Sequence, residues 1–311
     1  MEDLISELQS KIKQQNKNKY LPQKKRLLSH FEDETLVDVL SEHGCFVAGG
    51  AITSVFTNRE VNDLDVYFRS VESLILFVEN MFGEMNKPKP NSNMFSRLTS
   101  EIEPFSLIYR GHTNKSILCR TPSGQEVQLI HDRFYETPED IFNNFDFHLN
   151  MGCYDLEEGM FVLSEHFLTD NSARVITVNP KTAFPIISQL RIDKYKQRGY
   201  TINRKEFILL ACAVSQLNFM SWSDVKDSVG GMYGYCVDDI FDETVEFSYT
   251  ELFKQLIELE SSDGRFMGLT SSDTCEELVK FIKVHHGLIE EVPVPEAPTA
   301  PRPPIAKKFG S

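Results

Sequence analysis

The stretch that most constrains this chain is FVAGGAITSVFTNREVNDLDVYF, residues 46–68. A short apolar run enters a double glycine, Gly49 and Gly50, and a second apolar run carries Asp63 and Asp65 at alternate positions. Side chains two apart on a strand share a face, so these carboxylates project together while Leu64 and Val66 turn into a core. Between the two runs, AITSVFTN is long enough for one small helix whose N-terminus sits at the glycines. Glycine there permits a tight turn and lets a phosphate approach bare N–H groups, with Thr53 and Ser54 adding hydroxyls. Paired carboxylates suit Mg²⁺, which takes a few such oxygens and completes its shell from water and substrate phosphates. Two such ions can activate a hydroxyl and stabilise a leaving pyrophosphate.

The flanking text supplies a scaffold. Residues 1–40 read as an N-terminal helical segment, with Gly44 a suitable stop for its last helix. SVESLILFVENMFGE has helical spacing and should cover one face of a sheet. FSLIYRG, KSILCRT and EVQLIHD are strand-like, joined at GHTN and PSGQ as a meander, and predict a mixed sheet whose last strand ends near residue 135. From ETPEDIFNNF onward the pattern is mostly helical, with further helices at RKEFILLACAVSQLNF, SYTELFKQLIELES and SDTCEELVKFIKVHHG. The segment after Glu291 is Pro-rich, cannot bury a core, and predicts a disordered tail able to dock a protein partner. The expected class is α+β, with a head domain at 41–155, a helical domain at 156–290 and the tail at 291–311.

A third carboxylate is expected to complete the metal cradle. Glu126 is the first choice, because its strand can pair beside DLDVYF. Asp146 in NNFDFHL competes, with helix capping or a hinge between domains as its other roles.

Composition narrows the class. The formal charge of −14 on 311 residues argues against broad nucleic-acid coating. Yet Arg191 to Lys205 is locally basic, as is the first segment from Lys11 to Arg26. The six cysteines are scattered singly, which favours reduced, buried thiols over disulfides or a zinc knuckle. No apolar run approaches the ~20 residues that cross a bilayer, and the N-terminus lacks a signal-peptide core, so the expectation is a cytoplasmic protein with no membrane partner. His112, His131, His148, His285 and His286 have no metal-ligand spacing and read as solvated or core histidines. Trp222 reads as packing at a helix start. A P-loop and a nucleophile elbow are both missing from the sequence.

These residues resemble the nucleotidyltransferase superfamily of polymerase β, and most nearly the head of the tRNA CCA-adding and bacterial poly(A) polymerase group. That group opens with GGxVRD, a GR several residues later, then DxD. Gly49, Gly50, Arg59, Asp63 and Asp65 match in position; Thr53 and Ser54 replace its Arg-Asp, and Asn58 replaces the glycine of GR. DFHLNMGCYD, Asp146 to Asp155, is similar to the group's DFTINALAYD. LRIDKYKQRGYTI, from Leu190, more weakly resembles its neck motif LRAxRFAARLGFxI. Together the matches span residues 44–202. Just before the neck motif, Pro185 and Ser188 stand where that group's base-reading Asp and Arg would align. The resemblance implies transfer of a nucleoside monophosphate from an NTP, ATP among them, to an acceptor hydroxyl. It assigns Asp63, Asp65 and Glu126 to Mg²⁺ (or Mn²⁺), and Gly49, Gly50, Thr53, Ser54, Arg59 and Arg191 to the nucleotide. Faithful CCA addition is not expected. An RNA 3′ end is the expected acceptor, with a protein hydroxyl, or an inactive binding module, as alternatives. The overall look is that of divergent members encoded by phages and large viruses.

Overall fold

The computed structural model describes residues 15–83, 107–182, 184–228, 241–261 and 269–290. Its centre is a seven-stranded mixed sheet built from β1 (Phe46–Ala48), β2 (Asp63–Tyr67), β3 (Ile108–His112), β4 (Ser116–Arg120), β5 (Glu126–Ile130), β6 (Gly152–Asp155) and β7 (Met160–Leu163). The strand order is β3-β4-β5-β2-β1-β6-β7. β2 pairs parallel to β5, while the other neighbours run antiparallel. The meander of β3, β4 and β5 is as expected. The sheet does not end near residue 135, however. The chain returns after α5 (Pro138–Phe142) and adds β6 and β7 on the far side of β1, so the sheet reaches Leu163, past the expected head limit at 155.

One face of this sheet carries most of the core. Val47, Leu64, Val66, Val127 and Leu129 alternate inward, as period-two strands must. Four helices cover them: α1 (Leu21–Leu28), α2 (Glu34–Glu42), α3 (Gly50–Phe56) and α4 (Val71–Phe82). Their starts are chemically specified. Asp33 accepts from the Thr35 N–H at 2.8 Å, and Ser70 accepts from Ser73 at 3.1 Å; each satisfies an N–H that the helix itself cannot. The described part of the segment expected as 1–40, from residue 15 on, therefore joins the core under the sheet through Leu27, Phe31, Leu36 and Leu40.

The second half continues with α6 (Phe167–Ala173), β8 (Val175–Ile176), α7 (Pro185–Gln197), β9 (Thr201–Ile202), α8 (Arg204–Ser215), α9 (Trp222–Ser228), α10 (Tyr249–Ser261) and α11 (Cys275–His285). Phe147, Leu149, Ile192, Tyr195 and Leu210 form a separate core between the segment before β6 and helices α7 and α8. Ile187, Trp222, Val225 and Leu252 form another among the helices. Trp222 stacks on Phe241 and donates its indole N–H to the Val245 carbonyl at 2.8 Å, the packing role expected. Helix α11 is the surprise. It begins with a Thr274–Glu277 capping box and buries Leu278 and Ile282 against α4, so it belongs to the head's core rather than to the neck. The Pro-rich tail and Cys236 lie outside the described residues, as do Lys11 and Lys13. Among the described residues no helix is long and apolar enough to cross a membrane.

Candidate active site

The opposite face of the sheet changes character along its strands. At one end Phe46, Tyr67, Ile130 and Cys153 pack beneath Ile141 and Phe142 of α5. Toward the start of β2 the same face becomes polar, with Asp63 and Asp65 next to Glu126 and Gln128. The parallel register of β2 and β5 sets Asp63 opposite Glu126 and Asp65 opposite Gln128, which brings four oxygen-bearing side chains onto one face.

Antiparallel pairing of β1 with β2 sets Ala48 opposite Asp65, so the next residue, Gly49, turns beside that carboxylate. A Cβ on Gly49 would stand 3.8 Å from Asp65 Oδ2 and 3.4 Å from Phe145 Cζ. Gly49 has φ 81° and ψ −133°, a conformation that L side chains rarely adopt. It caps α3: the Thr53 N–H bonds to its carbonyl, and its own N–H donates to Gly152. A Cβ on Gly50 would meet nothing within 4 Å, so the backbone there faces open space. The two aspartates and the glycine turn thus share one mouth.

Electrostatics fit this crowding. Part of the Asp65 side chain remains open to solvent, yet the protein packed around it and the neighbouring Asp63 charge push its pKa up to about 8, against the pull of Arg191 and Lys194. Lys194, exposed on α7, is lowered by desolvation and by Arg198 and Arg191, while Asp63 and Asp65 pull it up. Helix α7 therefore lays positive charge over the acid pair.

The residues also fit a hard divalent cation. Gln128 donates its Nε2–H to Asp63 Oδ2 at 3.3 Å, while its Oε1 is buried without a partner beside the acids. An orphaned amide oxygen next to two mutually repelling carboxylates is an all-oxygen donor set, the kind that Mg²⁺ or Mn²⁺ takes. Gln128 is two residues after Glu126, a strand period that places it on the same face.

The other expected residues divide. Glu126 lies beside Asp63, but its Oε1 accepts from Arg120 Nη2 at 2.8 Å. Thr53 and Ser54 are buried in α3, and the Thr53 hydroxyl donates to the Leu149 carbonyl at 2.8 Å. Thr53 therefore ties α3 to the segment before β6, and both hydroxyl-bearing side chains are buried. Arg59 reaches across to the Arg198 carbonyl at the end of α7. Its neighbour Asn58 has φ 59°. Asparagine tolerates that left-handed conformation better than most residues. Asp146 is buried and accepts from Arg191 Nη1 at 3.2 Å and Asn150 Nδ2 at 3.2 Å. Asn150 Oδ1 also accepts from Tyr195 at 2.8 Å, so Asp146 and Asn150 both tie this segment to α7. Pro185 opens α7, and the buried Ser188 hydroxyl bonds to Thr182 and to the Phe184 carbonyl.

Comparison with known proteins gives a family. The family described as "Gabija anti-defense 2 family protein" matches residues 19–174, half of the chain, from just before α1 to the end of α6. The chain belongs to the Gabija anti-defense 2 family. The protein "Gabija anti-defense 2" of Bacillus phage SPbetaL7 is 38% identical over 224 residues, which are 72% of this chain and 50% of that relative. The chain thus spans about half the length of the curated relative it matches. Among solved structures, the Thermotoga maritima CCA-adding enzyme complexed with tRNA is similar at 14% identity and a TM-score of 0.41, covering 76% of this chain and 53% of that one. The Bacillus stearothermophilus CCA-adding enzyme in complex with CTP is similar at 15% identity and a TM-score of 0.43, covering 65% and 49%. The matched region of this Gabija anti-defense 2 family member contains the whole mouth described above except α7.

Proposed function

We propose that this chain is a metal-dependent nucleotidyltransferase, moving a nucleoside monophosphate from an NTP to an acceptor hydroxyl, and that this reaction serves its family's action against the Gabija defence. The observation that carries the reading is the convergence of Asp63, Asp65 and the Gly49 turn on one mouth, with a Gly49 Cβ position only 3.8 Å from Asp65. Asp63 and Asp65 would hold the cations, with the Gln128 oxygen as a further donor and Glu126 available if it leaves Arg120. Bound Mg²⁺ would supply charge neutralisation at the phosphates and lower the cost of deprotonating the attacking hydroxyl. The open backbone at Gly50 would receive the triphosphate, and Arg191 and Lys194 would orient it by charge.

The acceptor favoured by the neck resemblance and by the basic α7 is an RNA 3′ end. A protein hydroxyl is the second reading. It is favoured by the net charge of −14 and by Pro185 and Ser188, which are built into α7 where a base selector would stand.

The test is label transfer. The protein is incubated with Mg²⁺ or Mn²⁺ and each α-labelled NTP, with total RNA and with lysate of cells carrying the Gabija defence. Label entering RNA 3′ ends, and lost in Asp63→Ala and Asp65→Ala, supports the first acceptor; label entering protein supports the second. No label in either pool, together with no nucleotide binding by calorimetry, overturns the enzymatic reading.

A further inference from the structure

Past the end of β5 opposite Glu126, three histidines meet that are distant in sequence. His131 follows β5, while His285 ends α11 and His286 is its C-cap. Their ring centroids stand 5.3, 5.6 and 4.8 Å apart in the three pairs, and one ligand atom from each lies within 4.8 Å of the others.

The hydrogen bonding around them is unusual. His131 is 0% exposed. Its Nε2 lies 3.0 Å from the Thr113 carbonyl, which can only accept, so Nε2 carries the proton and Nδ1 keeps a lone pair. That Nδ1 is buried and has no partner; the same holds for Nε2 of His286. Buried nitrogens left unpaired cost stability, and natural proteins rarely keep two together without a reason. A backbone carbonyl that fixes the tautomer of an imidazole is the usual outer partner of a metal-binding histidine. Asp132 lies within electrostatic reach of both His285 and His286 and would offset part of a cation's charge. The C-terminus of α11 also points its partial negative charge here.

We propose that His131, His285 and His286 bind one divalent ion of the zinc class and that this ion fastens the end of α11 to the end of strand β5. Imidazole nitrogens bound to one tetrahedral zinc sit about 3.4 Å apart, at bond lengths near 2.0–2.1 Å. Small ring rotations therefore close the site, and they are least hindered at the exposed His285. Three nitrogens leave one position for water. The donor set separates this site from the all-oxygen mouth, because imidazole favours zinc over magnesium. The inference is independent of the proposed nucleotidyl transfer.

The experiment uses the full chain stripped with a chelator and dialysed. Calorimetric titration with Zn²⁺ is expected to show one ion per chain, accompanied by a rise in Tm. The double variant His285→Gln/His286→Gln keeps the buried His131. It should bind Zn²⁺ at least about 100-fold more weakly while its metal-free Tm stays near wild type. Asp63→Ala should bind Zn²⁺ like wild type, which separates this result from any failure at the other site. Wild-type-like Zn²⁺ affinity in the double variant, or no uptake by the folded wild type at roughly 0.1 mM Zn²⁺, overturns the proposal. If the double variant does not fold, the visible spectrum of the Co²⁺-loaded wild type decides. An intense four-coordinate, nitrogen-rich spectrum supports the site, and a weak six-coordinate one overturns it.

Discussion

The carboxylate of Asp146, in the segment that leaves the sheet, holds the guanidinium of Arg191 on α7 at 3.2 Å, and so joins the acid-bearing sheet to the basic helix that overlooks it. Asp146 is buried whereas Arg191 remains partly exposed, so the pair is unequal. Removing the arginine leaves the aspartate accepting from Asn150 Nδ2. Arg191→Ala should therefore cost about 1–3 kcal/mol in urea unfolding, after discounting for the exposed partner. Arg191→Lys should recover most of that. A neutral effect of Arg191→Ala on unfolding would show that α7 is held by its apolar face alone.

The two glycines should separate strain from function. Gly49→Ala forces an L residue to φ 81° and crowds Phe145, so it should lower stability by about 1–3 kcal/mol. Gly50→Ala adds a methyl to open space at the start of a helix, and its stability should stay within about 0.5 kcal/mol of wild type. If the triphosphate lies there, that methyl should weaken NTP binding by about tenfold or more in calorimetry. Unchanged affinity in Gly50→Ala would move the phosphates elsewhere.

Acid should loosen the chain at His112. This buried ring has its centroid 4.1 Å from that of Phe281, and its Nδ1 shares a 2.7 Å hydrogen bond with the Tyr109 hydroxyl, which also accepts from the Ser272 N–H. Burial lowers its pKa from 6.5 to about 4. Between those values the unfolded chain holds the proton and the folded chain does not. Stability therefore rises with pH across the window and is lost as pH falls from 6.5 toward 4, by about 2–3 kcal/mol at most. Comparing wild type with His112→Gln over this range by thermal unfolding should show the steeper loss in wild type. Parallel curves would mean that His112 titrates alike in both states.

Much of the site was legible because it is local. Asp63 and Asp65 share a strand, and a strand's period of two fixes their common face whatever surrounds it. The strand of Glu126 pairs beside theirs as its sequence allows, but its ion pair with Arg120 depends on which strand lies on its other side. The reading of Thr53 and Ser54 as displayed hydroxyls failed for a different reason. A helix of one or two turns packed on both sides has no free face, and composition does not reveal the second covering layer. The hairpin of β6 and β7 was missed because its strands are four residues each. Gly159, at φ 68° before an apolar run, was the turn signal available. The meeting of His131 with His285 and His286 was beyond reach, since about 150 residues separate them and only the return of α11 brings them together.

That return has a consequence for how the protein is made. The core under β1 and β2 is closed on one side by Leu278 and Ile282, which leave the ribosome more than 100 residues after β7. At roughly 5–20 residues per second the nascent head waits on the order of 10 seconds with a greasy seam beside α4 uncovered. Chaperone engagement and premature stops should therefore bear most heavily on this interval of synthesis.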